Sequence, residues 1–148
     1  MIRPATADDA PRLLEMGRAF FAESGHESEE TPFDPESFAQ TLALLARHNL
    51  LLVMEKGGAA VGMAAADVAP AYWNHKILLG REAFWYLSPD HRKGDGRKLL
   101  AALEAASKDY GAHFFDVVAE SGHRSKALGR VYESAGYVPA ETAYRKRL

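Results

Sequence analysis

Leu87-Ser-Pro-Asp-His-Arg-Lys-Gly-Asp-Gly-Arg-Lys-Leu-Leu100 joins an aromatic-rich apolar run, Arg81 to Leu87, to a helical pattern of Leu99, Leu100, Leu103, Ala106 and Tyr110. Strand, glycine-bearing turn and amphipathic helix are therefore contiguous. A turn of this kind presents unpaired N–H groups at the positive end of a helix dipole, where phosphate oxygens bind. Gly94 and Gly96 leave room for phosphate to approach the backbone and tolerate left-handed angles. Arg92, Lys93, Arg97 and Lys98 add positive charge. A flexible loop with solvated charges would have the same composition, so the two glycines alone do not choose between the readings. Two other phosphate signatures are absent: the P-loop spacing does not occur, and no third glycine stands three residues after Gly96.

Working outward, Thr6-Ala-Asp-Asp9 reads as a helix start. Ala10, Leu13, Leu14, Gly17 and Phe21 then give one apolar face up to about Glu23. Ser24 to Phe33 is polar, acidic and loop-like. Asp34-Pro35-Glu36 carries the signature of a second helix start, with Phe38, Leu42 and Leu45 on one face and an end near His48. Leu50 to Glu55 and Ala60 to Val68, separated by Lys56-Gly57-Gly58, suit an antiparallel hairpin. Pro70 to Gly80 reads as an intervening loop. His113 to Ala119 is expected as a further strand, Ser125 to Ala135 as a helix with Leu128, Val131, Tyr132 and Ala135 facing inward, and Tyr137 to Leu148 as closing strands.

The chain has 148 residues, 47% of them hydrophobic, which suits one domain over 1–148. A net charge of -2 lacks the basic excess of a phosphate-backbone binder, so no nucleic-acid partner is expected. Arg145-Lys-Arg147 reads as a solvated final strand. No apolar run reaches the roughly 20 residues of a membrane span, and the N-terminus reads as folded sequence, so a cytoplasmic location without membrane association is expected. The absence of cysteine excludes disulfides, thiolate metal sites and a cysteine-linked acyl intermediate. The six histidines show no ligand spacing, so no metal is expected.

The segment from Leu87 to Leu100 resembles the coenzyme A motif of the GNAT N-acetyltransferases, whose pattern is Arg or Gln, two residues, Gly, one residue, then Gly or Ala. Ile2-Arg-Pro-Ala-Thr-Ala-Asp-Asp9 resembles that family's opening strand and helix, and Val131-Tyr-Glu-Ser-Ala-Gly-Tyr137 its later helix end. Glu82, Trp85 and Ser88-Pro89 resemble bacteriophage-type members. The resemblance implies an α/β (α+β) fold: a mixed, mostly antiparallel sheet of six to seven strands, flanked by about four helices and splayed between strands 4 and 5. It implies acetyl-CoA as cosubstrate, held by Tyr86, Leu87, Ser88, His91, Arg92, Lys93, Gly94, Asp95, Gly96, Arg97, Lys98 and Ser125. His91 stands where Arg or Gln is usual, Asp95 where an apolar residue is commoner, and Ser125 where many relatives carry asparagine. Asp95 is expected to turn its carboxylate away from the pyrophosphate.

The resemblance further implies that the pantetheine arm adds to the sheet beside Tyr86 to Ser88 and that a backbone N–H polarises the acetyl carbonyl. An amine acceptor must lose a proton and the leaving thiolate must gain one. Tyr132 aligns with the tyrosine that many relatives place beside the coenzyme sulfur; its spacing with Leu128 and Ala135 also suits a core tyrosine. Glu82, a carboxylate in an apolar strand, is the candidate base, and a salt bridge or an exposed edge is the other account of it. Strict alternation puts Glu82, Phe84 and Tyr86 on one side of that strand. His75 and His91 are alternative bases. Tyr72, Trp73 and Asn74 are candidates for the acceptor pocket or for loop packing. The expected activity is transfer of acetyl from acetyl-CoA to a primary amine of a small molecule or protein. A coenzyme-binding module without turnover is the alternative. An exposed apolar patch on the first two helices or the last strands would support a homodimer.

Overall fold

The computed structural model describes residues 1–120 and 125–148 and divides them into two compact units, Met1–Asp116 and Val117–Leu148. The first unit carries one five-stranded sheet in the order β1 (Ile2–Pro4), β2 (Leu51–Lys56), β3 (Ala59–Ala71), β4 (Asn74–Leu87) and β5 (Phe114–Asp116). All neighbouring pairs are antiparallel except β4 and β5. Helices α1 (Ala10–Ser24) and α2 (Pro35–Arg47) cover one face and α3 (Asp95–Tyr110) the other.

Local chemistry accounts for most of these boundaries. Asp34 caps α2 by accepting from Ser37 N at 3.1 Å, with Pro35 following in the first helical position. Gly57 and Gly58, both at positive φ, make the two-residue turn that matches the twist of the β2–β3 hairpin. Strands β2 and β3 are apolar almost without interruption because helices cover both of their faces. On the first face, Leu13, Met16, Phe38, Leu42 and Leu45 pack on Leu51, Val53, Met63, Ala65, Phe84 and Tyr86. On the second, Leu99 and Leu103 pack on Leu52, Met54, Val61, Ala64, Ala66 and Leu87.

The three-residue β1 is tied down electrostatically. Arg3 donates to both carboxylate oxygens of Asp9, at 2.8 and 2.9 Å, and to Glu55 at 3.0 Å, while Thr6 N donates to Asp9 at 2.8 Å. The Arg3 hydrogen bonds, then those from Thr6, outweigh desolvation and hold the buried Asp9 carboxyl at about 2. Folding thus depresses this pKa, so the pair stabilises the fold above an unfolded-state value of about 3.9 and loses that contribution as pH falls to about 2. Urea melts should lose on the order of 2 kcal/mol across that window through this group. Asp9→Asn should remove this component of the pH dependence.

Five expectations about the fold are corrected. Pro70 to Gly80 is not a loop, because β3 runs to Ala71 and β4 starts at Asn74 with only Tyr72 and Trp73 between them. The irregularity the sequence suggests is a register shift between Pro70 and Ala71, where proline has no N–H for a ladder. The strand expected over His113 to Ala119 shrinks to Phe114–Asp116, since it pairs with β4 only at Leu79–Arg81. Among the described residues the sheet has five strands rather than six to seven. Tyr137 to Leu148 forms no strand: Val138 and Tyr144 remain 81% and 94% exposed, and Pro139 removes a ladder donor. In the second unit α4 (Ser125–Ser134) buries Tyr132, but Ala135 lies beyond its end and is exposed.

Candidate functional site

Strand β4 extends beyond β5. Their parallel ladder joins Leu79, Gly80 and Arg81 to Phe114, Phe115 and Asp116 and then stops, whereas β4 stays paired with β3 as far as Leu87. Backbone direction along this stretch follows from the ladder. Ser88 N donates to Val61 O at 2.9 Å, toward β3, so the N–H and C=O of Leu87, one residue earlier, are directed toward the opposite edge.

A β-bulge changes which side chains share a face. Ala65 opposes Phe84 but Ala66 opposes Glu82, leaving Ala83 as the extra residue. Directly opposed residues point to the same face. Ala65 belongs to the core under α1 and α2, and Ala66 to the core under α3. Glu82 is therefore on the α3 side, 8% exposed, while Phe84 and Tyr86 point to α1 and α2. The alternation that grouped Glu82 with Phe84 and Tyr86 is overturned by one inserted residue. Gly80, two positions before Glu82, fits the same assignment: a Cβ there would meet Phe115 at 2.8 Å and Ala112 at 3.3 Å.

Beyond Leu87 a short 3-10 turn, Pro89–His91, leads through Arg92 and Lys93 to the first residue of α3. Gly94 is the N-cap at a φ of 88°, and no side chain caps the helix. The first-turn N–H groups have no intrahelical acceptor and point out of the helix end. The two glycines have different tasks. A Cβ on Gly94 would meet nothing, so its glycine character answers the left-handed φ alone. A Cβ on Gly96 would come within 2.7 Å of the Trp85 ring, so this glycine lets the first turn of α3 close onto β4.

Arg92, expected to face phosphate, is folded back instead. Its Nε donates to Leu87 O at 2.8 Å, its Nη2 pairs with Glu23 at 2.7 Å, and its guanidinium lies 5.3 Å from the centre of the Tyr86 ring. Asp95, the first residue of α3, is held by two lysines. Its carboxylate pairs with Lys56, from the end of β2, and with Lys98 at 3.1 Å, and the Lys56 bond, then the Lys98 bond, holds its pKa below the usual range. His91 N donates to Ser88 O at 2.9 Å and closes the 3-10 turn, while Arg12 reaches the Ser88 hydroxyl at 3.4 Å. Lys93 and Arg97 are exposed. Glu23, Lys56 and Arg12 had no signal in the local sequence: they meet the segment from positions 69, 39 and 76 residues away.

Tyr132 and Ser125 belong to the second unit. Tyr132 donates its hydroxyl proton to Val118 O at 3.0 Å and stands edge-on to Tyr137 at 5.8 Å, as a core tyrosine does. Ser125 is the first residue of α4. Of the alternatives weighed, His75 lies at the exposed start of β4, and Tyr72 and Trp73 are 88% and 66% exposed at the hairpin tip. Among the described residues no group of three or more His, Asp or Glu could hold a metal ion, and no helix is long and apolar enough to cross a membrane.

The sheet of the first unit is thus mixed, and its fourth strand outruns its fifth beside a helix end that no side chain caps. The profile of the acetyltransferase (GNAT) family matches residues 12–137, and the chain belongs to that family. Among solved structures, a transcriptional regulator from Bacillus halodurans is similar over 100% of this chain and 99% of its own, at 20% identity and a TM-score of 0.77. A predicted acetyltransferase from Clostridium acetobutylicum, solved with acetyl-CoA, is similar over 99% and 95%, at 21% identity and 0.76. An aminoglycoside 6'-N-acetyltransferase from Acinetobacter haemolyticus is similar over 100% and 99%, at 17% identity and 0.73. These likenesses establish a GNAT fold. Among curated protein sequences, none matches the chain.

Proposed function

We propose that the chain transfers an acetyl group from acetyl-CoA to a primary amine of a small molecule or protein, by direct attack in a ternary complex. The observation that carries this reading is the open edge of β4 running straight into the uncapped N-terminus of α3. Pantetheine would add along the edge beside Tyr86, Leu87 and Ser88, and the pyrophosphate would meet the first-turn N–H groups of α3. Leu87 N–H is the donor for the thioester carbonyl, whose oxygen gains charge as the amine attacks; one such donor contributes about 3 kcal/mol to the transition state. Lys93, Arg97 and Lys98 supply positive charge there, with Arg92 holding Leu87 and Tyr86 in place. Glu82 is the proposed base, acting through water because it lies on the α3 side of β4, and Tyr132 the proposed acid for the leaving thiolate.

Calorimetry of acetyl-CoA binding tests the site, with Lys93→Glu/Arg97→Glu as the comparison because both positions are exposed and outside the core. Saturable binding to the wild-type chain, weakened about tenfold or more in the double variant, is expected. Absence of binding to folded wild-type chain would sink the assignment. A second reading, a coenzyme-binding module without turnover, draws on the Tyr132 hydroxyl already being donated to Val118. Wild-type turnover on an amine panel, reduced in Glu82→Gln and Tyr132→Phe, separates the two.

A further inference from the structure

An open cavity of about 310 Å³ lies among the last turns of α1, the connection that follows it and the first turns of α2. Three of its walls are the rings of Phe21, Phe33 and Phe38, mutually 5.4 to 5.8 Å apart. Behind them Phe38 lies 5.3 Å from Phe84 of β4, so the cavity abuts the α1 and α2 side of the strand whose edge the coenzyme would follow. His26 of the lining stands 6.1 Å from the half-buried Phe20, whose ring is 6.3 Å from that of Tyr86, so a row of side chains leads from the cavity toward that strand edge.

The charge of the cavity is one-sided. Its lining includes Glu27 and Asp34 and no Lys or Arg. The stretch from Glu23 to Glu36 adds Glu29 and Glu30, again without a Lys or Arg. Asp34 keeps its carboxyl below the ordinary carboxylate range, first through the Ser37 hydroxyl, so it is anionic at neutral pH. The lining also holds His26, whose Nδ1 pairs with the Ser24 hydroxyl at 2.6 Å, and outside the lining the Arg18 guanidinium sits 4.9 Å from the centre of the Phe33 ring. The chain's own cation thus already uses one face of this aromatic wall, as the ring quadrupole favours.

We propose that this cavity binds the distal cationic end of an aliphatic di- or polyamine acceptor, with methylenes against Phe21, Phe33 and Phe38 and the ammonium beside Glu27 and Asp34. The proposal deepens the amine-acceptor reading and rests on it. A neutral acceptor would leave the acidic rim without a counter-charge, and an anionic one would be repelled.

The experiment compares α,ω-diaminoalkanes with amino alcohols of equal chain length on the full chain, by calorimetry in the presence of coenzyme A and by kcat/KM with acetyl-CoA. The diamine should bind about tenfold more tightly, and Glu27→Gln and Phe33→Leu should each erase most of that preference. Acetyl-CoA affinity should be unchanged in both variants. Equal binding of the two probes, or a preference that survives Glu27→Gln and Phe33→Leu together, would overturn the proposal. Acetyl-CoA binding and turnover without any diamine preference would refute the cavity assignment and leave the enzyme reading intact. Glu27-dependent diamine binding without acetyl-CoA binding would do the reverse.

Discussion

Gly96→Ala should weaken acetyl-CoA binding at least tenfold and destabilise the fold by about 1–3 kcal/mol. The added methyl would sit 2.7 Å from Trp85 Cζ3, inside any permitted contact, and Leu87 Cδ1 follows at 3.6 Å. Trp85 and Leu87 lie on the open-edge segment of β4, so α3 can accept the methyl only by lifting its first turn away from that strand. The same movement would displace the N–H groups proposed to hold the pyrophosphate from the edge proposed to hold pantetheine. Trp85→Leu provides the control: in the Gly96→Ala/Trp85→Leu chain the ring is gone, so the two costs should be clearly less than additive and coenzyme affinity should partly return. Additive losses would mean that the Gly96–Trp85 contact does not set the position of α3.

Gly17→Ala should cost still more stability, about 3 kcal/mol or beyond, although the position is mid-helix, where alanine is intrinsically preferred by about 1 kcal/mol. A Cβ there would fall 2.1 Å from Cε1 and 2.7 Å from Cζ of Phe38. Phe38 is 7% exposed and in ring contact with Phe21, Phe33 and Phe84, so these neighbours resist its movement everywhere but on the side of the cavity it lines. The substitution would drive α1 and α2 apart or push Phe38 toward the cavity. Urea denaturation of Gly17→Ala and of Gly17→Ala/Phe38→Leu measures the effect. The smaller side chain should restore part of the loss, and a fully stable Gly17→Ala chain would contradict this packing.

Sequence was most informative where structure is written in neighbouring residues. The Asp34-Pro35 start of α2, the Gly57-Gly58 turn, the apolar faces of α1 to α3 and the glycine-bearing entry to α3 all depend on contacts within a few positions. Reading failed where the deciding partner is remote. The face of Glu82 depends on how β3 opposes β4 across the bulge, which no single strand records. Arg92 looked like one more cation of the glycine turn because Glu23, which redirects it, is 69 residues away. Lys56, which pairs with Asp95 from 39 residues away, was invisible for the same reason. Gly96 was assigned to phosphate approach, whereas its neighbour is an indole ring. The closing strands failed differently: the segment expected to form them buries neither Val138 nor Tyr144.

The extra residue at Ala83 sets the course of β4 and not the choice of its core side chains. Deleting that exposed alanine would set Glu82 next to Phe84, and adjacent strand residues point to opposite faces, so Glu82 would stay on the α3 side and Phe84 and Tyr86 in the phenylalanine cluster. What the deletion would remove is the bend and added twist that a bulge gives its strand. A descendant one residue shorter at this point would keep its core and differ in the direction in which β4 arrives at Leu87.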